Sequence, residues 1–358
     1  MKMTDSIHRL RACAVNDTLF PATTLPAALK RLGFVQADPI KSPATAQDLI
    51  LRQRVKNYRA GDLERRYASL DIEEDYLYAY GFMPRDNWRL LHPRDTHDLS
   101  PLEKKVLKVL RAHPEMHPRD LEEHFGAERV VNAWGGYSKA TTHVLDALHH
   151  RGLLRICKRE KGIRVYRAAE AIVQTMSEAE RSRALVLILA NIFAPVMEKN
   201  LRKLRFSRPD SCNTRAIITE LLEEGLLERE EVDGIAYLRP ASLKKTETAP
   251  PVVRFLAPFD PLVWDRERFE KLWGWEYRFE AYTPVAKRIC GYYALPLLWG
   301  DDIIGWVNAS KGEVDSRGQR KLDLEIGYVG KKPSGAAYKA ALAEEVERFN
   351  SFLQTGKA

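Results

Sequence analysis

Cysteine is scarce in this chain, and its scarcity excludes two kinds of protein. There are four, Cys13, Cys157, Cys212 and Cys290, far apart and with no Cys-x-x-Cys pair. Neither a zinc ribbon nor a disulfide framework is therefore written into the sequence, and reduced buried thiols are expected. Histidine is missing from the C-terminal half, since all nine lie between His8 and His150. His113 and His117 have the i, i+4 spacing of a metal pair, but Pro114 and Pro118 break any helix that would present both. No metal and no cofactor are expected. Long apolar runs are also lacking: none reaches the roughly 18 residues of a membrane span. The opening Met1-Lys2-Met3-Thr4-Asp5 leads into no apolar segment of signal length. These absences imply a soluble, cytoplasmic protein without membrane contact.

What the sequence does have is size and positive charge. Its 358 residues are enough for two to four compact units, and 45% hydrophobic content suits globular cores. The 57 Lys and Arg exceed the 49 Asp and Glu by eight. That excess favours a polyanionic partner.

An internal repeat organises the first two thirds. Three times a leucine-periodic helix meets a glycine and then a short apolar strand: Leu25 to Val35 around Gly33, Val144 to Leu154 around Gly152, and Ile218 to Leu227 around Gly225. Glycine stands where a left-handed C-cap is wanted. The last two copies continue into hairpins. One is expected to join 153–157 and 163–167 through 159–162, the other to join 226–230 and 235–238 through an Asp233-Gly234 turn. Helices are predicted over 102–111, 118–125, 181–193 and 196–204. Helix, glycine, strand, turn, strand is the end of a winged helix, and such units place a helix in a DNA groove and a wing on the backbone.

The expected fold class is α+β: three tandem winged-helix units forming a concave scaffold, plus a C-terminal β-rich domain with a terminal helix. The expected boundaries are 1–98, 99–170, 171–245 and 246–358. In the last segment, strands are predicted over 288–298, 303–309 and 322–329, and a helix over 334–353. The second wing carries Arg155, Lys158, Arg159, Lys161, Arg164 and Arg167, a set able to neutralise several phosphates. Ser138 and Lys139 before the preceding helix form a predicted N-cap that can receive another. The third wing is acidic, with Glu228, Glu230, Glu231 and Asp233, and is expected not to touch DNA.

The candidate chemistry lies in Gln36-Ala37-Asp38. On an extended chain Gln36 and Asp38 share one face while Ala37 turns to the core. An amide and a carboxylate so placed can hold one water between a hydrogen-bond partner and a general base, sufficient for hydrolysis when the leaving group is already good. Nearby, Lys41 is a candidate phosphate contact, and Gln47-Asp48 can support the site, with Asp48 expected as a helix N-terminal cap.

Three stretches carry a resemblance to a known family: GFVQADPIKSPATAQDLIL from Gly33, the region from Trp134 to Val165, and APFDPLVWDRERFEKLWGWEYRFEAYTPVAKRICGYYALPLLW from Ala257. Together they resemble the winged-helix DNA glycosylases of the YcaQ/AlkZ type, in the branch with a Gln-apolar-Asp motif. The resemblance implies a monofunctional glycosylase that excises alkylated purines, N7-alkylguanine above all, and unhooks interstrand crosslinks. It implies Asp38 as the catalytic carboxylate, Gln36 as its helper, and double-stranded DNA carrying such lesions as the partner. An open cleft suits a tethered guanine better than full base flipping does. Tyr282, Lys287 and Arg288 fall in the most specific run and are candidate cleft-lining residues, although packing explains Tyr282, Tyr292 and Tyr293 equally well. The turn at 296–304 is the expected groove-probing hairpin, and a nucleoid-associated monomer is expected. Where the family carries a Glu-Tyr-Trp-x-His segment, this chain reads Glu73 to Arg85 without the histidine. The alternative function is a winged-helix transcriptional regulator without catalysis.

Overall fold

The computed structural model describes residues 3–94, 98–126, 129–131, 137–204, 212–314 and 320–354. It is a mixed helix and strand protein. Contacts group it into two compact units, where the sequence suggested a linear succession. One unit gathers Met1–Asp62, Val186–Leu204 and Asn213–Ala358; the other holds Leu63–Leu185 and Arg205–Cys212.

In the first unit, an antiparallel sheet runs in the order Val253–Phe255, Leu295–Trp299, Asp302–Val314, Arg320–Tyr328. Helix Ala336–Leu353 covers it, with Phe349 edge-on to Phe255 at 5.9 Å. Two buried ion pairs bind this region to the segment after the Gln36 motif. Arg54 reaches Asp260 in a two-pronged contact at 2.8 and 2.9 Å, with both side chains wholly buried. Arg52 reaches Glu345 at 2.9 Å. Asp260 also accepts from Leu262 N at 3.0 Å, capping helix Pro261–Trp264. The Pro-Phe-Asp-Pro run is therefore a charged anchor with both carboxylate oxygens used.

The predicted strand over 288–298 forms only from Leu295. The N–H groups of Ile289, Cys290 and Gly291 are taken by the Glu280 carboxylate at 2.8 to 3.1 Å. Donors bound there cannot enter a β-ladder. The turn at 296–304 is anchored at its tip: Trp273 Nε1 donates to Asp301 O at 2.8 Å, and Arg11 reaches Asp302 at 3.2 Å. The predicted helix over 196–204 starts as a strand, Val196–Met197, paired with Leu238 and Tyr237, before helix Glu198–Lys203. Burying Val196 and Met197 completes that sheet edge.

The three glycines of the repeat have φ of 72° at Gly33, 73° at Gly152 and 70° at Gly225. This left-handed turn is open to glycine without strain. Helices Leu25–Leu32, Ala140–His150 and Thr214–Glu223 lead through them as expected. Hairpin Leu227–Val232 to Ile235–Pro240 closes on Asp233-Gly234. Hairpin Leu154–Glu160 to Ile163–Ala168 closes tighter than predicted, on Lys161-Gly162 alone, with φ of 51° and 84°. In the same unit, Ser100 and Glu103 form a capping box on helix Pro101–Ala112. Strands Ile72–Tyr76 and Tyr80–Pro84 make a further hairpin. No described helix is long and apolar enough to cross a membrane.

Candidate active site

The Gln36 motif is positioned from both ends. Thr24 caps helix Leu25–Leu32 and Gly33 ends it, so that Phe34 and Val35 enter the core almost completely. The strand then lasts only two residues, Val35–Gln36. Ala37 and Asp38 lie beyond it, and Ala37 is half-buried rather than turned into the core as expected. Ile40 N donates to Asp38 Oδ1 at 2.9 Å, a local side-chain turn with Pro39 at its centre. Behind it, Asp38 N donates to Gln47 Oε1 at 3.3 Å.

Gln47 is held by helix Ala46–Leu51, and its neighbour Asp48 locks that helix. Thr45 Oγ1 and Tyr58 Oη each donate to Asp48 at 2.8 Å, and Gly61 N donates at 3.1 Å. Thr45 is the N-cap, so Asp48 acts one turn inside the helix, as a tie to the following loop.

Electrostatics single out Asp38. Its carboxyl is half-buried, and the loss of hydration raises its pKa above the ordinary carboxylate range against the pull of the Ile40 N–H. Tyr293 is nearby: burial and then the charge of Asp38 push its phenol well up. Tyr293 Oη and Gln36 Oε1 are both buried, and neither has a hydrogen-bond partner among the described residues. Buried polar atoms are nearly always satisfied, so these two stand out in the neighbourhood of the motif. Tyr293 was not singled out by sequence, where packing accounts for a tyrosine equally well.

The predicted phosphate contacts divide. Lys41, Lys161 and Lys287 are exposed. Arg288 is half-buried, donating to Thr283 O at 2.8 Å and lying over the Tyr292 ring at 5.1 Å. Ser138 and Lys139 belong to strand Tyr137–Lys139, and the helix begins at Ala140; their side chains lie outside the described residues. On the second wing the arginines turn inward. Arg155 pairs with Glu73, and Arg159 with Glu74. Lys158 meets Glu115, and Glu160 at 3.1 Å. Arg164 meets Asp146 at 3.1 Å and covers the Tyr80 ring at 4.4 Å. Arg155 and Arg159 are thus each engaged with a carboxylate that is itself buried.

Those carboxylates are the residues sequence reasoning missed. Glu73, Glu74 and Asp75 are consecutive and all buried. Burial raises the Glu73 pKa in spite of Arg155 and Arg85. At Asp75 burial is overcome: hydrogen bonds from His92 at 2.9 Å and Arg94 at 2.7 Å hold it well below the usual range, with Trp88 Nε1 a third partner at 2.9 Å. The available signal was three acids in a row in a β-like stretch, which can be buried only if each finds a cation or donor.

Among known families, the AlkZ-like DNA glycosylase model matches residues 29–352. This chain belongs to the AlkZ-like DNA glycosylases. Of solved structures, it is similar to the DNA glycosylase AlkZ of Streptomyces sahachiroi, with a TM-score of 0.64 and 14% identity over 96% of each chain. At that identity the likeness is one of fold. The AlkZ-like match takes in Gln36, Asp38 and Tyr293 together with the Asp260 and Glu345 anchors, and the family read from the motifs is the family found.

Proposed function

We propose that this AlkZ-like protein hydrolyses the N-glycosidic bond of alkylated purines in duplex DNA, N7-alkylguanine in particular, and unhooks interstrand crosslinks. The observation that carries this reading is the half-buried Asp38, whose carboxylate accepts from Ile40 N, whose own N–H donates to Gln47 Oε1, and whose charge acts on the buried Tyr293.

Alkylation at N7 makes the purine cationic, so it leaves with the bonding electron pair as a neutral base and needs no proton donor. Positive charge then develops on the sugar. Asp38 is the group to stabilise it, and a carboxylate with restricted hydration does so more strongly than one in bulk water. The same carboxylate takes the proton from the water that attacks the sugar carbon, with Gln36 orienting that water. One carboxylate suffices, unlike the paired acids of sugar hydrolases. With no lysine adjoining Asp38 in the motif, the reading is a monofunctional one: the product is an intact strand with an abasic site.

Exposed Lys41, Lys161 and Lys287 are the remaining candidates for contacts to the backbone, acting as point charges that fix register rather than sequence. The helix–glycine–strand repeats support three winged-helix units acting on DNA as a monomer. The test is incubation with duplex carrying N7-methylguanine, followed by alkaline cleavage of abasic sites, with a crosslinked duplex run in parallel. Release by the wild type and none by Asp38→Asn supports the reading. Equal product from both contradicts it.

A further inference from the structure

In the first unit, the chain before Tyr293 is an exposed loop whose apolar side chains have no part in the chemistry above. Tyr282, Val285 and Ile289 are 83%, 76% and 79% exposed, the most open large hydrophobic side chains of this unit. Floppy apolar loops are ordinary, but this one is held at its base. The Glu280 carboxylate gathers the N–H groups of Ile289, Cys290 and Gly291. Asn308 Nδ2 donates to Cys290 O at 2.7 Å, and Arg288 Nε to Thr283 O at 2.8 Å. Gly291, at φ of 116°, lies so close to Asn308 that a Cβ would fall 2.4 Å from it. The loop is thus a preformed protrusion.

Ring contacts tie it to Tyr293. Phe279 packs edge-on to Tyr282 at 6.2 Å and to Tyr293 at 5.3 Å, so a single ring separates the exposed Tyr282 from the tyrosine that feels the Asp38 charge. Ile289 is four residues from Tyr293, at most about 14 Å along the chain. The loop's only acid, Glu280, is turned inward, whereas Lys287 is exposed. Aromatic and aliphatic side chains with a cation and no outward carboxylate suit nucleobases and phosphates.

We propose that the loop 281–292 is the surface against which the bases at the lesion stack, with Ile289 and Tyr282 as contact residues and Lys287 on a neighbouring phosphate. This rests on the glycosylase reading, and it assigns the contact that holds a base step open beside Asp38.

The experiment compares wild type, Ile289→Ala, Tyr282→Ala and Lys287→Ala. Affinity is measured for an intact duplex and for one with a tetrahydrofuran abasic analogue, with single-turnover release of N7-methylguanine and thermal unfolding alongside. Both apolar positions are exposed, so unfolding temperatures should match. Stacking on a side chain accounts for roughly a 5- to 150-fold effect per base. Ile289→Ala and Tyr282→Ala are expected to lose the preference for the abasic duplex and to slow release by a factor in that range. Lys287→Ala is expected to weaken binding to both duplexes equally. A wild-type preference of one, or a preference that survives both apolar substitutions, overturns the proposal. So does the outcome of a loop that serves another protein, namely affinity and release unchanged in all variants. Failure of the wild type to release any base would count against the glycosylase reading instead, since the affinity ratio is measured without catalysis.

Discussion

At the level of single residues, the account depends on how Asp38 is held. Its raised pKa means that the ionised, working form is lost at a higher pH than for an ordinary carboxylate. Activity should therefore be full on the alkaline side and fall as pH drops through that raised value. A single-turnover pH–rate profile from about pH 4 to 8 checks this; an acid limb at or below the ordinary carboxylate range contradicts it. Gln47 supplies the acceptor for Asp38 N. Gln47→Leu removes one hydrogen bond of about 0.5–1.5 kcal/mol, which corresponds to about a 2- to 10-fold loss of excision rate at unchanged substrate affinity. A loss of affinity without loss of rate would mean that Gln47 touches DNA rather than aligns Asp38.

Among the elements, the buried Arg54–Asp260 pair joins the stretch after the motif helix to the Pro-Phe-Asp-Pro turn. Asp260→Asn leaves a buried guanidinium uncompensated and should cost about 3–5 kcal/mol of stability in denaturant unfolding. A loss below about 1 kcal/mol would show the pair to be dispensable. The second wing gives a contrasting test. Arg159→Ala should destabilise its unit without changing the salt dependence of DNA binding, because Arg159 is spent on Glu74. Lys161→Ala, at the exposed turn, should lower the salt slope by about one. The reverse result would restore the arginine as a phosphate contact.

These elements also show what the sequence could and could not disclose. Helix periodicity, the repeat glycines and the Asp-Gly turn are local, and the structure follows them closely. The wing arginines were legible as a basic strand pair but not as internal ions, because Glu73 and Glu74 stand 82 and 85 residues away along the chain. The stretch before Leu295 looked like a strand because its side chains are apolar; its backbone donors go to Glu280, a choice invisible to periodicity. Tyr293 lies in the specific Gly-Tyr-Tyr run, but locally a tyrosine there reads equally well as packing, and its electrostatic link to Asp38 comes only with the fold.

For the whole molecule, membership of the AlkZ-like DNA glycosylases agrees with a basic chain that has neither metal-binding motif nor membrane span in its sequence. Ion pairs such as Arg155–Glu73 and Arg159–Glu74 are neutral and leave the excess of eight positive charges in place on the rest of the chain. The two-residue strand, the Asp38 turn and the Gln47 helix are continuous in the first unit with the sheet and C-terminal helix that Arg52 and Arg54 secure. The most direct measurement is single-turnover release of N7-methylguanine from duplex DNA by wild type and Asp38→Asn, with duplex affinity measured on the same preparations. The account predicts release by the wild type, none detectable by Asp38→Asn, and affinity equal or tighter in the variant. Release by Asp38→Asn at the wild-type rate would contradict it.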